Sequence, residues 1–399
     1  MSESEFRIGQ FITQYPYERQ YAGEQVYFCS GAERVAQAIS NELAELGCDV
    51  KVCTSAAGRS YSTSNQGNVT VKRSPSLFSI NTTQIAPTQV VDPLFDDHDF
   101  DLVHAHNSTS PGVIAGWVYS QVYDVPFVIT HHGGENYEDH GSLVRRLGLS
   151  LYTNYLIEPL FSSANVAVSP TEGYIKESSA LSSASQVEVI SNGVNVDEYT
   201  HEASAEAMKR RLDIDPEEFL VFYLGSLHPR KGADVLLNGF VQFHERFPNS
   251  HLVVGGGGSL RDALEQSVTD HGITGAVTIP GFIPEAEKPT YMAAADVFVL
   301  PSITPGAEVF PLVLLEAAAA KTPLVVSQFS TLESIIDPMD AGILITPGSA
   351  ESISKELEHL YTEPDKRHEL AMNAFELAKQ REWSRVAEQY LDLYDDLIV

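Results

Sequence analysis

The stretch LPSITPGAEVFPLVLLEAAAAKTPLVVSQ, Leu300 to Gln328, places a turn, an apolar helix and a strand in immediate succession. Pro301 and the pair Pro305-Gly306 turn the chain rather than continue a strand. From Leu312 to Ala320 the residues are apolar except for Glu316, and a helix hydrophobic all round is a buried helix. Pro311 suits its first helical position, where a missing N–H loses nothing. Glu316, with Val, Leu and Ala on every side, needs a hydroxyl or a cation beside it, because an unpartnered buried charge is strongly disfavoured. Glu308 stands eight residues earlier, just ahead of the helix. Free N–H groups and the positive dipole end there favour anions, phosphate in particular. A phosphate on that N-terminus, with a carboxylate on each side to accept hydroxyl hydrogen bonds, is an arrangement that suits a nucleotide sugar. The same letters also fit a buried Ala-rich helix carrying one salt-bridged glutamate.

Outward from this stretch, the second half of the chain alternates strands and helices. Strands are predicted at 219–224, 251–254, 276–279, 296–300, 323–327 and 342–345. Helices are predicted at about 232–246, 259–270, 285–294, 311–321, 331–336, 350–361 and 365–380, with a last one from Ser384 to Leu397. Such alternation calls for a parallel sheet in an α/β fold. Gly225-Ser226-Leu227-His228-Pro229-Arg230-Lys231-Gly232 lies between a strand and a helix. There Lys231 reaches a diphosphate as a point charge and Arg230 engages it bidentately, unless the segment is only a capping turn with exposed basic residues. The four glycines Gly255 to Gly258 follow a strand and let backbone approach a ligand. No G-K-[ST] follows them, and Leu260 stands where a third dinucleotide-type glycine belongs, so neither standard phosphate loop fits.

The first half reads as a second parallel unit. Phe6 to Thr13 is a short apolar strand. A helix from Ala32 to Leu46 carries Val35, Ala36, Ile39, Leu43 and Leu46 at helical spacing. Val50 to Cys53 is the second strand, and 54–100 holds one weak strand, Val69 to Arg73, among Ser/Thr/Asn-rich loops. Asp101 to Asn107 is a strand, a helix runs through Val113 to Val122, and Pro126 to Thr130 is a strand delivering His131-His132-Gly133-Gly134 at its carboxyl end. Open α/β sheets bind ligands at that end. Asn165 to Pro170 and Val187 to Asn195 are further strands. The polar, acidic region 197–218 with Pro216 reads as a linker, which divides the chain into 1–200 and 201–383.

The pattern PS-x5-E-x-F-P-L-x-L-L-E-A, with its Glu-x7-Glu spacing, resembles the signature of retaining glycosyltransferases of the large family four, glycosyl transferases group 1. The usual glycine after Phe310 is Pro311 here. That resemblance implies a GT-B fold: two Rossmann-like domains facing a cleft, the donor on the second, the acceptor on the first, and helix 384–399 crossing back to the first. It implies that Glu308 meets the sugar hydroxyls of the donor and Glu316 the ribose. The backbone around Phe310, Pro311 and Leu312 meets phosphate or sugar, and Gly256 lets the nucleotide lie against the strand ends. Pro280-Gly281-Phe282-Ile283-Pro284 resembles the segment whose backbone reads the base. The segment 225–232 resembles GR-x4-KG, in which two basic residues grip the diphosphate after Gly225; Ser226 stands where the arginine is usual, so Arg230 takes its part or one contact is lost. Ser30-Gly31-Ala32-Glu33 resembles the GG-x-E loop that approaches donor phosphate and acceptor, with Ser30 for the first glycine. His132-Gly133 matches T-x-H-G, whose histidine contacts the donor sugar or assists departure, and His104 and His106 resemble the D-x-x-H-x-H strand end. The implied reaction moves a sugar from a nucleotide diphosphate (UDP- or GDP-sugar) to a hydroxyl acceptor, a lipid-linked glycan among the candidates, with retained configuration. Basic residues take the place of a metal, and no cofactor beyond the donor is expected.

Two other readings stand beside it. A sugar-nucleotide-binding protein without turnover is one, given Ser226 and Ser30. The other is a metal-dependent hydrolase using His104, His106, His131, His132 and His140 with Glu135, Glu138 and Asp139. A hydrolase barrel would need ligands at later strand ends, where only phosphate-type motifs stand.

At 399 residues the chain exceeds what one core usually holds, so two domains are expected. The start MSESEFRIGQF has no basic segment followed by an apolar one, no apolar run reaches membrane-spanning length, and Cys29, Cys48 and Cys53 form no C-x-x-C pair. A cytoplasmic protein with reduced thiols is expected. Its net charge of −29 repels nucleic acid and anionic membrane, and the dispersed acidic excess suits a halophile's cytoplasm. The amphipathic segment Leu143 to Phe161, with Arg145-Arg146, fits peripheral membrane contact or a core-packed helix with two exposed arginines.

Overall fold

The structure, a computed structural model, describes residues 6–17, 31–80, 83–96, 99–107, 111–133, 152–200, 205–306 and 308–398. The chain divides into two compact units, one of Met1–Asn192 with Trp383–Val399, the other of Gly193–Glu382.

Among its described residues the first unit is built on an eight-stranded sheet. Its strands run Val187–Val189, Val166–Ser169, Phe127–His131, Leu102–Asn107, Arg7–Phe11, Asp49–Ser55, Val69–Ser74 and Ser62–Gln66 across the sheet. All neighbours are parallel except the last pair, an antiparallel edge. The order reverses between Arg7–Phe11 and Leu102–Asn107, the topological switch point where open α/β sheets take ligands. The strand LVHAHN is buried along its whole length, as a strand covered on both faces must be. Register sets Gln10 beside His104 and His106 beside Thr130. The helix Gly31–Glu45 buries Val35, Ala36, Ile39 and Leu43. Against it packs the last helix, Trp383–Ile398, through the stripe Val386, Ala387, Tyr390 and Tyr394.

The polar stretch 54–100 holds more structure than one weak strand. Ser62–Gln66 pairs with Val69–Ser74, Phe78–Ile80 pairs with Thr83–Ile85, and 3-10 turns span Pro87–Val90 and Asp92–Phe95. STSNQ is mostly exposed, so it shows no apolar alternation, and only its neighbour's free edge makes it a strand. The strand expected over 187–195 ends at Val189.

Among its described residues the second unit has six strands, all parallel, in the order Val277–Gly281, Ser250–Gly255, Phe219–Leu224, Val297–Leu300, Leu324–Ser327 and Gly342–Ile345. Its switch point lies between Phe219–Leu224 and Val297–Leu300. Alternation splits Phe219–Leu224 between two apolar clusters: Phe222 joins the one holding Leu314 and Leu315, Val221 and Tyr223 the one holding Leu236 and Phe240. The expected linker is instead part of this body. Helices Val196–Thr200 and Ala205–Arg211 stand there, and Val196, Tyr199 and Met208 are buried in the first of those clusters.

Candidate functional site

In the second unit, two loops leave the strands at the switch point and are tied together. Ile303 N–H donates to the Arg230 carbonyl at 2.9 Å. Gly232 has φ +70, and a Cβ there would stand 2.1 Å from the Pro301 carbonyl oxygen, so a glycine is what lets the two loops close. Their side chains meet as well. Lys231 Nζ donates to Glu308 Oε1 at 2.5 Å, and Ser302 Oγ donates to the same oxygen at 2.8 Å. Glu308 is 6 % exposed, and its backbone carbonyl accepts from Thr331 Oγ1 at 2.9 Å. Lysine and glutamate, 77 residues apart, thus form one buried ion pair at the ends of the two central strands.

The Gly255–Gly258 segment is stitched to the same loop. Gly256, at φ +125, would drive a Cβ to 1.8 Å from the Gly225 carbonyl oxygen. Leu227 N–H donates to the Gly257 carbonyl at 2.9 Å, and Gly256 N–H to Gly281 at 2.7 Å. The close approach is to neighbouring backbone, which places Gly225, Gly256 and Gly281 side by side at three strand ends. Beyond them Phe282 is 72 % exposed while Ile283 is buried. Arg230 is half-buried, and Ser226 is exposed with its carbonyl taken by the Tyr223 hydroxyl at 2.9 Å.

The apolar helix spans Leu312–Ala319. Pro311 is not its first helical residue but its N-cap, with φ −73 and ψ 124; its carbonyl accepts from Leu314 N–H at 3.1 Å. The extended ψ keeps proline outside the helix while its fixed φ still aims the chain into it. Phe310 is buried in the core. Glu316, 7 % exposed, receives Lys288 Nζ on both oxygens at 3.1 and 3.2 Å. Lys288 also meets Glu285 at 2.9 Å. The partner that Glu316 requires is therefore a cation, and no sequence motif named it. The signal available was Lys288 opening the otherwise apolar run PTYMAAA, a lysine whose ammonium must find a carboxylate. Each carboxylate oxygen has two lone pairs, so both glutamates keep acceptor capacity for hydroxyl groups.

The first unit gathers a different chemistry at its switch point. His104 and His106 are fully buried, with ring centroids 4.3 Å apart. His104 Nε2 bonds Thr130 Oγ1 at 2.7 Å, and its Nδ1 bonds the Tyr394 hydroxyl at 2.6 Å. Thr130 continues to the Tyr390 hydroxyl at 3.1 Å, so two tyrosines of the last helix are pinned to the sheet. His106 Nε2 bonds Gln10 Oε1 at 2.8 Å, and its Nδ1 bonds His132 Nε2 at 3.0 Å. His131 is held by Asn107 at 3.0 Å and by Tyr174 at 3.3 Å. Burial, then the neighbouring His132, pushes His104 down to about 3. Burial, then His131, does the same to His132, and burial with its two histidine neighbours holds His106 well below its ordinary value. His104, His106 and His132 are thereby held as neutral imidazoles. Both nitrogens of His104 and of His106 are committed to protein partners, and among the described residues no group of three His, Cys, Asp or Glu is placed to hold a metal. Gly31 opens the helix Gly31–Glu45 with open space where a Cβ would go. Ser30, Cys29, Gly134, Glu135, Glu138, Asp139, His140, Arg145 and Arg146 lie outside the described residues, as does most of the expected amphipathic helix. Its described end is a π turn, Tyr152–Leu156, running into the helix Ile157–Ser163.

Comparison with known proteins follows this division. Residues 187–377 match the family model of glycosyl transferases group 1, and 29–198 that of glycosyltransferase family 4. The chain is 27 % identical over 308 residues to a D-inositol 3-phosphate glycosyltransferase of Corynebacterium aurimucosum, covering 75 % of this chain and 72 % of that one. It is 26 % identical over 311 residues to an alpha-monoglucosyldiacylglycerol synthase of Acholeplasma laidlawii, covering 75 % and 76 %. Among solved structures it resembles a sucrose-phosphate synthase of Thermosynechococcus elongatus (TM-score 0.75, 20 % identity, 98 % and 99 % covered). It also resembles Anabaena HepE in complex with UDP and glucose (TM-score 0.73, 19 % identity, 98 % and 100 % covered). These structures share the GT-B fold with it.

Proposed function

This chain belongs to the group 1 glycosyltransferases of the GT-B fold, and we propose that it moves a hexosyl group from a nucleoside-diphosphate sugar to a hydroxyl acceptor, with retained configuration and without a metal ion. The observation that carries this reading is the buried Lys231–Glu308 pair beside the start of the apolar helix. It sets a cation, a carboxylate and a helix N-terminus at one switch point, the combination that a diphosphate bonded to a sugar requires.

In this reading Lys231, Arg230 and the N–H groups at Leu312 take the negative charge that grows on the leaving diphosphate. Glu308, steadied by Ser302, orients sugar hydroxyls and is not the general base. Glu316, steadied by Lys288, accepts from the ribose hydroxyls. Gly225, Gly256, Gly281 and the backbone at Phe282 leave room for the nucleotide; within the first unit, His132 offers a contact to a sugar hydroxyl and Gly31 leaves space at the start of its helix. An oxocarbenium-like sugar forms while the acceptor attacks from the face the diphosphate leaves. Relatives named for an inositol phosphate and a glucosyldiacylglycerol support small-polyol and lipid acceptors, and HepE crystallised with UDP supports a uridine donor. Among the described residues no helix is long and apolar enough to cross a membrane.

A thermal-shift screen against UDP, GDP and ADP tests the reading. A nucleotide that binds only the folded state at about one hundred times its Kd adds ~2.7 kcal/mol of stability. One of the three should raise the unfolding midpoint, and the matching nucleotide sugar should then release its diphosphate when an acceptor is added. No shift with any of them overturns the donor site, and a shift without turnover on a broad acceptor panel supports a binding protein instead.

A further inference from the structure

The hydrogen bonds around His132 fix more than its position. Gln10 presents Oε1 to His106 Nε2 at 2.8 Å while its own buried Nε2 has no hydrogen-bond partner, and with the amide in this orientation its oxygen only accepts, which assigns the hydrogen of His106 to Nε2. A neutral imidazole carries one hydrogen, which leaves His106 Nδ1 as an acceptor. The group facing it at 3.0 Å is His132 Nε2, which must then be the donor. His132 therefore also carries its single hydrogen on Nε2, and its Nδ1 is left with a bare lone pair. The rings have little freedom to depart from this. Gln10 and His106 are fully buried, His104 packs against His106 at 4.3 Å, and His106 and His132 stack at 5.2 Å. The His132 backbone is held as well, its N–H donating to the Asn107 carbonyl at 3.3 Å.

We propose that Gln10 and His106 are positioning residues that lock His132 in the Nε2–H tautomer, so that His132 serves the substrate as a hydrogen-bond acceptor through Nδ1. The part about substrate rests on the reading of His132 given above, and the tautomer itself does not. The consequence is a specific one. His132 receives a hydroxyl hydrogen, which selects for a free hydroxyl on the sugar at that point, and it has no hydrogen on Nδ1 to hand to a leaving group there. The lowered basicity of the half-buried ring agrees, because it keeps the ring from becoming an imidazolium donor.

Nitrogen NMR of the full chain labelled at histidine tests this, with His132 assigned by its absence in His132→Gln. The resting wild type should show His132 protonated on Nε2 and bare on Nδ1. Gln10→Met, which removes the accepting oxygen at similar volume, should mix the tautomers of both rings. Its turnover should fall at least about tenfold with KM changed less than about twofold, and Gln10→Glu, which restores an oxygen, should recover both signatures. Protonation of His132 on Nδ1 in the wild type overturns the proposal. So does a Gln10→Met protein with a single unchanged tautomer and normal turnover. Should the variants fail to fold, the wild-type spectrum still decides. Normal turnover by His132→Ala would instead overturn the sugar contact and leave the tautomer standing, so the two failures are told apart.

Discussion

Each unit reverses its strand order at a switch point, and the two bury opposite chemistry there. At Arg7–Phe11 and Leu102–Asn107 the first unit packs imidazoles, an amide and phenols into a network without net charge. At Phe219–Leu224 and Val297–Leu300 the second buries an ammonium on a carboxylate, and it repeats the device a helix away with Lys288 and Glu316. A parallel sheet imposes the location in both cases, since its strand ends are where backbone stops pairing and side chains converge. In the reading proposed above, what converges suits the ligand assigned to each unit. A diphosphate needs fixed positive charge, and a sugar hydroxyl needs neutral groups of defined donor and acceptor sense.

That contrast can be broken most severely at the charged end. Lys231→Ala should reduce turnover at least tenfold, about 1.4 kcal/mol, and should also destabilise the fold by ~3–5 kcal/mol by leaving Glu308 buried without its cation. The double variant Lys231→Ala with Glu308→Gln should regain most of the stability in a denaturant titration and none of the turnover. Glu316→Ala should lower turnover alike but cost less stability, because Lys288 keeps Glu285 at 2.9 Å, and adding Lys288→Met should restore stability alone. Recovery of turnover in either double variant would mean that the pairs are structural only.

Acid should act next most strongly, and chiefly on the neutral end. His104 and His132 are pushed down to about 3, so between that value and the ordinary value near 6.5 the unfolded chain binds protons that the folded chain does not. Stability is full above about pH 6.5 and falls as pH drops toward 3, by ~2–3 kcal/mol for a buried histidine by pH 4.5. The second unit has His251, pushed down to about 4, and a lowered His244. Hydrogen exchange at pH 7 and 4.5 should therefore show the larger loss of protection in strands Leu102–Asn107 and Phe127–His131. An equal loss in both units would remove the distinction.

Salt should have the smallest effect and should not tell the units apart. A net charge of −29 repels itself, and molar salt screens that repulsion to within a few ångström. The midpoint should rise from low to molar salt, with the increment carried by the surface. A flat or falling midpoint would count against a salt-adapted protein.

How far each end could be read in advance differs for a physical reason. Glu308, Glu316, Arg230 and Lys231 announce themselves because charge amid apolar letters or beside glycine is conspicuous in a chain. Their partners do not: Lys288 lies 28 residues from Glu316, and Ser302 is one serine among many. Pro311 was legible as a helix boundary but not as a cap, since its φ suits either position and only ψ separates them. The His-x-His strand end was legible as a cluster with two meanings. The hydroxyls of Thr130, Tyr390 and Tyr394 that saturate it come from a neighbouring strand and from a helix almost 300 residues away. The strand Ser62–Gln66 was not legible at all, being polar on both faces.

From the sequence alone came the alternation of strands and helices, the two parallel units, the buried helix with its carboxylates and the family, because period, turn residues and spacing are local properties of a chain. Tertiary structure alone decided which cation answers each carboxylate, which loops close on Gly232 and Gly256, and which side chains meet the ring nitrogens of His104 and His106. Those are matters of a few ångström between residues far apart in the chain, and only packing brings them within that distance.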